Sequence, residues 1–374
     1  MLNYHFLQTQ SIAEPSTYES FLDGLRGIAI LMILFFHTSL MVPAQNYHYF
    51  TMFPEKVEHL SRGVHLFFIM SALTLFQSFY KRMSTEKNPF LTFMIRRGFR
   101  ILPLWWFALT LYFFYYKPSH VFSDVVANAF FYFGFLKEAW TISVIPGGWS
   151  LFVEESFYLF FPIWVITLKN FYQAIIAVVI SYLVAWLWYN WNYKLMNGLS
   201  STFVATFPLG NYFAFFIGIA LFFLRKDFLL SSTQEKISFS LRLLLDLLAI
   251  GGLILLFYYD RMVGSLALVP MIIASFFPST LFGNITRHPL IIKFGTCCYS
   301  IYLLHSLIAN TGLVYNLQRI FFEYLHVINA PQEVQTFLWF FPFAGLSLLG
   351  GIISFKIIER PFVQVGKKLI QKMN

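Results

Sequence analysis

The chain has 374 residues, of which 58% are apolar and only 11% are charged. Ordinary soluble domains carry roughly 25% charged residues, and a soluble protein of this size could not bury so much apolar surface. The same composition excludes a disordered chain, which would be poor in aromatic residues. The composition therefore predicts an integral membrane protein that crosses the bilayer several times.

The formal net charge of +9 indicates membrane topology and not nucleic-acid binding, because Lys and Arg cluster in short loops between apolar runs. We therefore expect no nucleic-acid partner. The two cysteines, Cys297 and Cys298, are adjacent, and this spacing poorly suits a disulfide. We expect neither redox chemistry nor a metal. The first twenty residues contain no Lys or Arg, so no cleavable signal peptide is predicted.

Eleven apolar runs follow one another along the chain. Ten are taken as spanning helices, whereas 124–136 is too short to span and is interpreted as a re-entrant or interfacial helix. In chain order the runs are 24–42, 64–80, 101–116, 124–136, 151–168, 172–190, 207–224, 241–258, 263–281, 298–316 and 336–356.

The positive charges test this count. The positive-inside rule assigns the basic loops 81–100, 225–242 and 282–297, and the basic tail after 355, to the cytoplasm. An even number of spans must then separate 81–100 from 225–242, which requires that 124–136 does not cross. We predict an all-α, polytopic helical bundle of ten transmembrane helices plus one short re-entrant or interfacial helix. Both termini are cytoplasmic, and 1–374 forms a single domain with no fused soluble domain.

The first span carries two ionisable residues, Arg26 and His37. Their separation of 11 residues is within roughly 20° of three full helical turns, so both project from one face, about 16 Å apart along the axis. Ionisable groups at such depth are candidates for a functional site. Two other interpretations stay open: a structural role for His37 in contact with a neighbouring helix, and a snorkelling topology anchor for Arg26.

Arg97 and Arg100 stand at i and i+3 where the third span enters the membrane. Residues at this spacing share a helix face, and two guanidiniums so close repel one another unless an anion lies between them. Planar guanidiniums suit phosphate groups well. The pair therefore indicates a phosphate-binding site, with an ordinary positive-inside anchor as the alternative.

Adjacent acids, Glu154 and Glu155, begin the fifth run. Acids stabilise a helix N-terminus, which explains one of them without any function. Because neighbouring helical residues point in different directions, we expect one of the two to face the bundle interior.

The tenth run places Tyr299, Tyr302 and His305 at steps of three, roughly on one face. Glu359 lies at the cytoplasmic end of the last span, just before Pro361. A salt bridge to a basic loop is an equally good explanation of Glu359. We assign no cofactor role to the many Phe, Tyr and Trp residues, because lipid-facing surfaces and interfacial belts account for them.

These motifs together resemble the membrane-bound acyltransferase family 3, over about residues 18–363. LDGLRGIA followed by His37 resembles the family's Arg-x10-His pattern, and RRGFRILP its Arg-x-x-Arg element. The other matching blocks are GVHLFFIMSA (63–72), WSLFVEESFYLFFP (149–162), YSIYLLH (299–305) and ERP (359–361). Ala72 and Trp105 depart from residues common in the family, at positions that concern packing more than chemistry.

The resemblance implies a stand-alone O-acyltransferase in a bacterial inner membrane. Its donor would be a coenzyme A thioester, most often acetyl-CoA, and its acceptor a hydroxyl of a cell-surface glycan such as lipopolysaccharide O-antigen, free or lipid-linked. Membrane lipids are the other expected partner. The implied catalytic residues are His37, Arg26, Glu154 and Glu155, with Arg97 and Arg100 on the coenzyme. The expected supporting residues are Asp23, Tyr299, Tyr302, His305 and Glu359.

Two questions stay open at this point. His37 would act either as a general base toward the acceptor hydroxyl or by forming a transient acyl-histidine. A secondary transporter of a lipid-linked glycan or small anion is the alternative function, since intramembrane Arg, His and Glu also suit proton coupling. Transporters, however, often contain internal repeats, and the sequence has no clear one.

Overall fold

The computed structural model describes residues 17–42, 53–83, 85–115, 122–135, 143–194, 201–229, 237–259, 261–328 and 330–373, and within these ranges it is helical without any strand. The helices are α1 (Thr17–Met41), α2 (Phe53–Glu58), α3 (Gly63–Arg82), α4 (Pro89–Tyr115), α5 (Phe122–Ala129), α6 (Gly148–Thr167), α7 (Phe171–Lys194), α8 (Ser201–Thr206), α9 (Tyr212–Leu224), α10 (Phe239–Leu256), α11 (Arg261–Leu266), α12 (Val269–Phe276), α13 (Leu281–Thr286), α14 (Pro289–Thr296), α15 (Cys298–Ala309), α16 (Gly312–Val327), α17 (Gln332–Ser354) and α18 (Arg360–Met373).

The all-α membrane fold is confirmed. Six helical segments of the described chain are long and apolar enough to cross a membrane, or seven if the bent pair α14 and α15 is one span. The count of ten spans and the cytoplasmic location of both termini stay predictions. In the described residues, the short run 124–136 overlaps α5, a helix of eight residues, and one 3-10 turn at Tyr132–Phe135. Neither element is long enough to cross the membrane.

The predicted runs 263–281 and 298–316 are not single continuous helices, and their crossing of the membrane stays a prediction. The run 263–281 is divided among α11, α12 and α13, with Pro270 in the first turn of α12. A proline lacks the N–H of a helix interior and suits the first turn. In the run 298–316, α15 ends at Ala309, and α16 begins at Gly312 after a short turn. The axis also bends by 77° between α14 and α15.

Glycines allow α1 to lie very close to α14. A Cβ built on Gly24 would be 1.7 Å from the carbonyl oxygen of Thr286, and one on Gly295 would be 1.7 Å from the carbonyl oxygen of Asp23. Only glycine permits such approach of two backbones. The LDGLRG segment therefore fixes α1 against the α13–α14 region, which sets the position of Arg26.

Stacked aromatic rings join α3, α6 and α9. Phe215 stacks on Phe68 with centroids 4.6 Å apart and on Phe157 with centroids 4.2 Å apart. All three side chains are buried, and such offset pairs add to the stabilisation from burial. This core holds α6, which carries the two acids, against α3.

The last helical segment is the longest in the described chain. Residues Gln332–Met373 form one helical segment of 42 residues, in which a π-helical turn at Phe355–Glu359 separates α17 from α18. This turn places Glu359 in the interior, where it is 4% exposed. Inserted residues of this kind often occur near functional sites.

Candidate active site

A cavity opens among α1, α3, α4, α6 and α15. It encloses about 730 Å³ of empty space, counted with its open mouth. Its lining mixes cations, one acid, hydroxyls and aromatic rings. The lining residues are Arg26, Val64, Phe67, Phe68, Ser71, Thr74, Arg97, Arg100, Ile101, Ser150, Leu151, Glu154, Tyr158, Cys298, Tyr299 and Tyr302.

Arg97 and Arg100 both face this cavity from α4, as their i, i+3 spacing predicts. Arg97 packs on aromatic rings, with its guanidinium carbon 5.5 Å from the ring of Tyr158. Within the described residues, neither guanidinium has a hydrogen bond or an ion pair within 4 Å. Two cations with unused N–H groups thus share one wall, which suits a ligand of negative charge.

Arg26 lies on the same cavity but is already engaged. Its Nη1 donates to Asp23 Oδ1 over 2.8 Å, and its Nη2 donates to Thr74 Oγ1 over 2.8 Å. Asp23 therefore acts as the partner of Arg26 and is not itself among the lining residues. The two contacts hold this guanidinium at a fixed place on the wall.

Glu154 is the acid that faces the cavity. Ser71 Oγ donates to Glu154 Oε1 over 2.6 Å, and the Tyr158 hydroxyl donates to the same oxygen. No hydrogen bond from the described residues reaches Oε2, so this oxygen can accept one from a ligand. Glu155 does not line the cavity, and its Oε1 is buried without a hydrogen-bond partner in the described part of the chain.

Tyr299 and Tyr302 of α15 connect the cavity lining to neighbouring helices through hydrogen bonds. The Tyr299 hydroxyl donates to the carbonyl oxygen of Ile101 over 2.8 Å. The Tyr302 hydroxyl lies 3.0 Å from the carbonyl oxygen of Gly147 and 2.7 Å from Ser150 Oγ. Gly147 has φ +77°, a left-handed conformation that glycine adopts without strain. Gly147 immediately precedes α6, and its carbonyl oxygen accepts the hydrogen bond from the Tyr302 hydroxyl.

His37 and His305 form a pair outside the cavity lining. Their ring centroids are 4.7 Å apart in an edge-to-face arrangement. The ring of Tyr302 lies 6.0 Å from that of His305 and 6.2 Å from that of Phe67. Tyr302 and Phe67 line the cavity, so one layer of aromatic rings stands between the cavity and the histidine pair.

Hydrogen bonds determine which nitrogen of each histidine carries the proton. His37 Nδ1 is 2.9 Å from the carbonyl oxygen of Ile33, and His305 Nδ1 is 2.7 Å from that of Tyr302. A carbonyl oxygen only accepts, so each neutral ring donates from Nδ1 and leaves Nε2 with a free lone pair. The Nε2 of His305 lies 3.3 Å from Ser306 Oγ. Both rings thus present a basic nitrogen.

Glu359 is not among the residues that line the cavity. It accepts a hydrogen bond from Ser300 Oγ over 3.1 Å, and it interacts electrostatically with Arg100. No ion pair within 4 Å to a basic loop is present among the described residues. Its surroundings therefore connect it to Arg100, and its supporting role stays a prediction.

The structure adds residues that the sequence analysis did not single out: Ser71, Thr74, Ser150, Tyr158 and Cys298. The spacing of Glu154 and Tyr158, at i and i+4 in an apolar helix, is a signal for the Glu–Tyr contact. Ser71 and Thr74 are at i and i+3 on α3. In the described ranges no group of three or more His, Cys, Asp or Glu could hold a metal ion; the expectation that no metal takes part stays a prediction.

Comparison with known proteins identifies the family of the chain. Residues 19–356 match the family model described as "Acyltransferase domain". Curated relatives from Staphylococcus aureus are named "Putative O-acetyltransferase SACOL0978" (strain COL), "Putative O-acetyltransferase SAS0844" (strain MSSA476) and "Putative O-acetyltransferase SAR0937" (strain MRSA252). Each is 23% identical over an alignment of 394 residues that covers 93% of this chain.

The chain spans 58% of the length of these relatives. No solved structure matches it. The family match covers most of the sequence and includes the segments that carry His37, Arg97, Arg100 and Glu154. The chain is therefore an integral membrane protein that belongs to the membrane-bound acyltransferase family 3.

Proposed function

We propose that the protein transfers an acetyl group from acetyl-CoA to a hydroxyl of a cell-surface glycan, such as lipopolysaccharide O-antigen, at a site within a bacterial inner membrane. The observation that carries this proposal is the wall formed by Arg97 and Arg100, two cations without a hydrogen-bond or ion-pair partner among the described residues. A cavity lined with unused guanidiniums favours a phosphate-bearing ligand.

The arginine wall would hold the phosphates of coenzyme A. Arg97 and Arg100 offer free N–H groups, and Arg26 adds positive charge at a place fixed by Asp23 and Thr74. In this low-dielectric environment a bound phosphate would also relieve the repulsion between the guanidiniums. The donor would enter from the side on which the basic loops lie.

The middle of the cavity would hold the arm that carries the thioester. Glu154 Oε2 can accept a hydrogen bond from an amide N–H or a hydroxyl of the ligands, while Ser71 and Tyr158 fix the carboxylate through Oε1. Phe67, Phe68 and Leu151 supply apolar contacts. A site of this kind, mainly apolar with a few polar groups, is typical of small-molecule pockets.

The thioester would reach the layer of Tyr302 and Phe67, with His37 beyond it. The Nε2 lone pair of His37 would take the proton of the acceptor hydroxyl as its oxygen attacks the thioester carbonyl. The C–S bond then breaks, and the coenzyme thiolate recovers the proton from the imidazolium. The products are the O-acetyl ester and free coenzyme A, so atoms and charge balance.

An acyl-histidine route would use the same nitrogen. There Nε2 itself attacks the thioester, and the acceptor hydroxyl then displaces the histidine. Brief mixing of purified protein with labelled acetyl-CoA in the absence of acceptor separates the routes, because only the second leaves label bound to His37.

The test of the proposal is mass spectrometry of surface glycans from cells that carry the wild-type chain, no chain, or the His37→Ala variant. We expect O-acetyl groups with the wild type alone, at equal abundance of the two proteins in the membrane. Glycans that carry the same acetylation in all three strains would refute the proposed acceptor class, and normal acetylation with His37→Ala would remove His37 from the mechanism.

A further inference from the structure

The helix α18, at the end of the chain, has a surface that the proposed transfer reaction does not use. Helix α17 and its extension through α18 form 42 continuous residues, which amounts to about 63 Å at the usual rise per residue. A bilayer's hydrocarbon core is only about 30 Å thick. Because α17 alone, with 23 residues, is long enough to cross this core, α18 lies at the edge of the bilayer or beyond it.

One side of α18 is occupied by the protein. Gly366 and Ile370 are buried, and a Cβ on Gly366 would be 2.9 Å from the Cβ of Phe99 on α4. This contact fixes the rotation of α18 about its own axis. The helix therefore cannot turn its other apolar residues into the protein.

Beside this contact runs a strip of exposed apolar side chains. Phe362, Val365 and Leu369 are 44%, 50% and 40% exposed, and at 100° per residue they lie within about 60° of one another. These three residues form the apolar strip. The strip runs from Phe362 to Leu369, and about half of each side chain is exposed in the described chain.

Basic residues border the apolar strip on the side away from α4. Lys372 lies roughly 50° from its centre and Lys368 roughly 90°, whereas Arg360 and Lys367 lie on the opposite face, about 170° away. All four side chains are exposed, and residues 360–373 contain no acid. The order around the helix is thus protein contact, apolar strip, then lysines.

We propose that this face of α18 binds the anionic phospholipid surface of the membrane. The apolar strip would enter the boundary between headgroups and acyl chains, and Lys368 and Lys372 would reach the lipid phosphates. Lipid is the occupant that fits, because α18 continues directly from a membrane helix and its free face is purely cationic and apolar. Each lysine at an anionic surface strengthens membrane association roughly five-fold.

Hydrogen–deuterium exchange of the full chain in nanodiscs tests this proposal without reference to catalysis. We compare discs of phosphatidylcholine alone with discs in which a third of the lipid is phosphatidylglycerol. The amides of residues 362–373 should exchange about ten-fold more slowly in the anionic discs. Equal exchange in the two lipids would overturn the proposal.

Two variants with the same change of charge locate the binding face. Lys372→Gln should weaken the slowing by phosphatidylglycerol roughly five-fold, whereas Lys367→Gln, on the opposite face, should preserve it. Equal effects of both would contradict the assigned face. Slow exchange that appears only in discs with two copies of the chain would instead identify the strip as an interface between copies. If a variant fails to fold, the comparison of the wild-type chain in the two kinds of disc still tests the proposal.

Discussion

The rings of His37 and His305 lie edge to face with their centroids 4.7 Å apart, although 268 positions separate them in the sequence (305 − 37). Each ring donates from Nδ1 to a carbonyl oxygen of its own helix. The helical backbone thus sets the same tautomer in both rings. Two basic Nε2 atoms result, next to the cavity that the arginines line.

The pair predicts unequal effects on the rate of acyl transfer. His37→Ala should lower the rate by about 10²–10⁴-fold, the usual loss for a general base. His305→Phe keeps an aromatic ring against His37 but removes the second basic nitrogen, and should cost only about ten-fold. The measurement is the initial rate of acetyl transfer by purified variants at matched concentration. A His305→Phe rate equal to that of His37→Ala would show that the assignment of the base is wrong.

Tyr302 should control whether water reaches the thioester. Its ring is part of the aromatic layer between the cavity and the histidines. Tyr302→Ala removes this ring and should raise the hydrolysis of acetyl-CoA in the absence of acceptor, because dry sites suppress this side reaction. The assay is release of free coenzyme A with time.

Tyr302→Phe is the matched control for that experiment. It keeps the ring and loses only the hydroxyl contacts to Gly147 and Ser150, at a cost of about 1 kcal/mol in stability. We expect hydrolysis at the wild-type rate. Equal hydrolysis by the Ala and Phe variants would mean that the Tyr302 ring does not keep water from the thioester.

The contact between α1 and the end of α13 predicts a strong effect of a single methyl group. In Gly24→Ala the new Cβ would meet the carbonyl oxygen of Thr286 at 1.7 Å, so the helices must move apart, at a cost of about 2 kcal/mol. In the control Gly251→Ala the Cβ has nothing within 4 Å, and the better helix propensity of alanine should stabilise slightly. Thermal unfolding in detergent compares the two; equal Tm values would refute the close packing.

The loop before α4 predicts a dependence of stability on pH. Glu86 accepts hydrogen bonds from Arg96 over 2.7 and 2.8 Å. Burial alone would raise the pKa of Glu86, but these bonds, the one from Thr92 and the charges of Arg96 and Arg82 outweigh it and lower the pKa below its ordinary 4.5. The ionised form is therefore favoured in the folded protein.

A lowered carboxyl pKa contributes stability that is fully present above the unfolded-state value and is lost as the pH falls through the folded-state value. The difference in Tm between the wild type and Glu86→Gln should thus be constant above about pH 5.5 and shrink toward pH 3. The measurement is thermal unfolding across this range. A difference that grows on acidification would contradict the lowered pKa.

The sequence predicted which residues of a single helix share a face, but it did not predict the contacts between helices. Helical spacing was sufficient to put Arg97 and Arg100 on one face and to align Tyr299 with Tyr302, because both inferences concern a single helix. Spacing also placed Arg26 and His37 on one face of α1. It could not show that Tyr302, from another helix, lies both on the cavity and against His305.

Two further features were beyond the sequence for related reasons. Hydropathy detects an apolar run but not a break within it, so the divisions of 263–281 and 298–316 were missed. The choice between Glu154 and Glu155 depends on the rotation of α6, which the stacked rings on α3 and α9 fix. Ser71, on another helix, then gives Glu154 its partner.

Arg97 and Arg100 are proposed to bind the phosphates of coenzyme A. The most direct test is the affinity of the purified protein for labelled coenzyme A. Arg97→Gln and Arg100→Gln should each weaken binding at least ten-fold, since hydrogen bonds to charged groups contribute about 1.5–3 kcal/mol. Arg96→Gln is the control, because Arg96 pairs with Glu86 away from the cavity lining, and its affinity should equal that of the wild type. Wild-type affinity in the Arg97 and Arg100 variants, or loss with Arg96→Gln alone, would contradict the account.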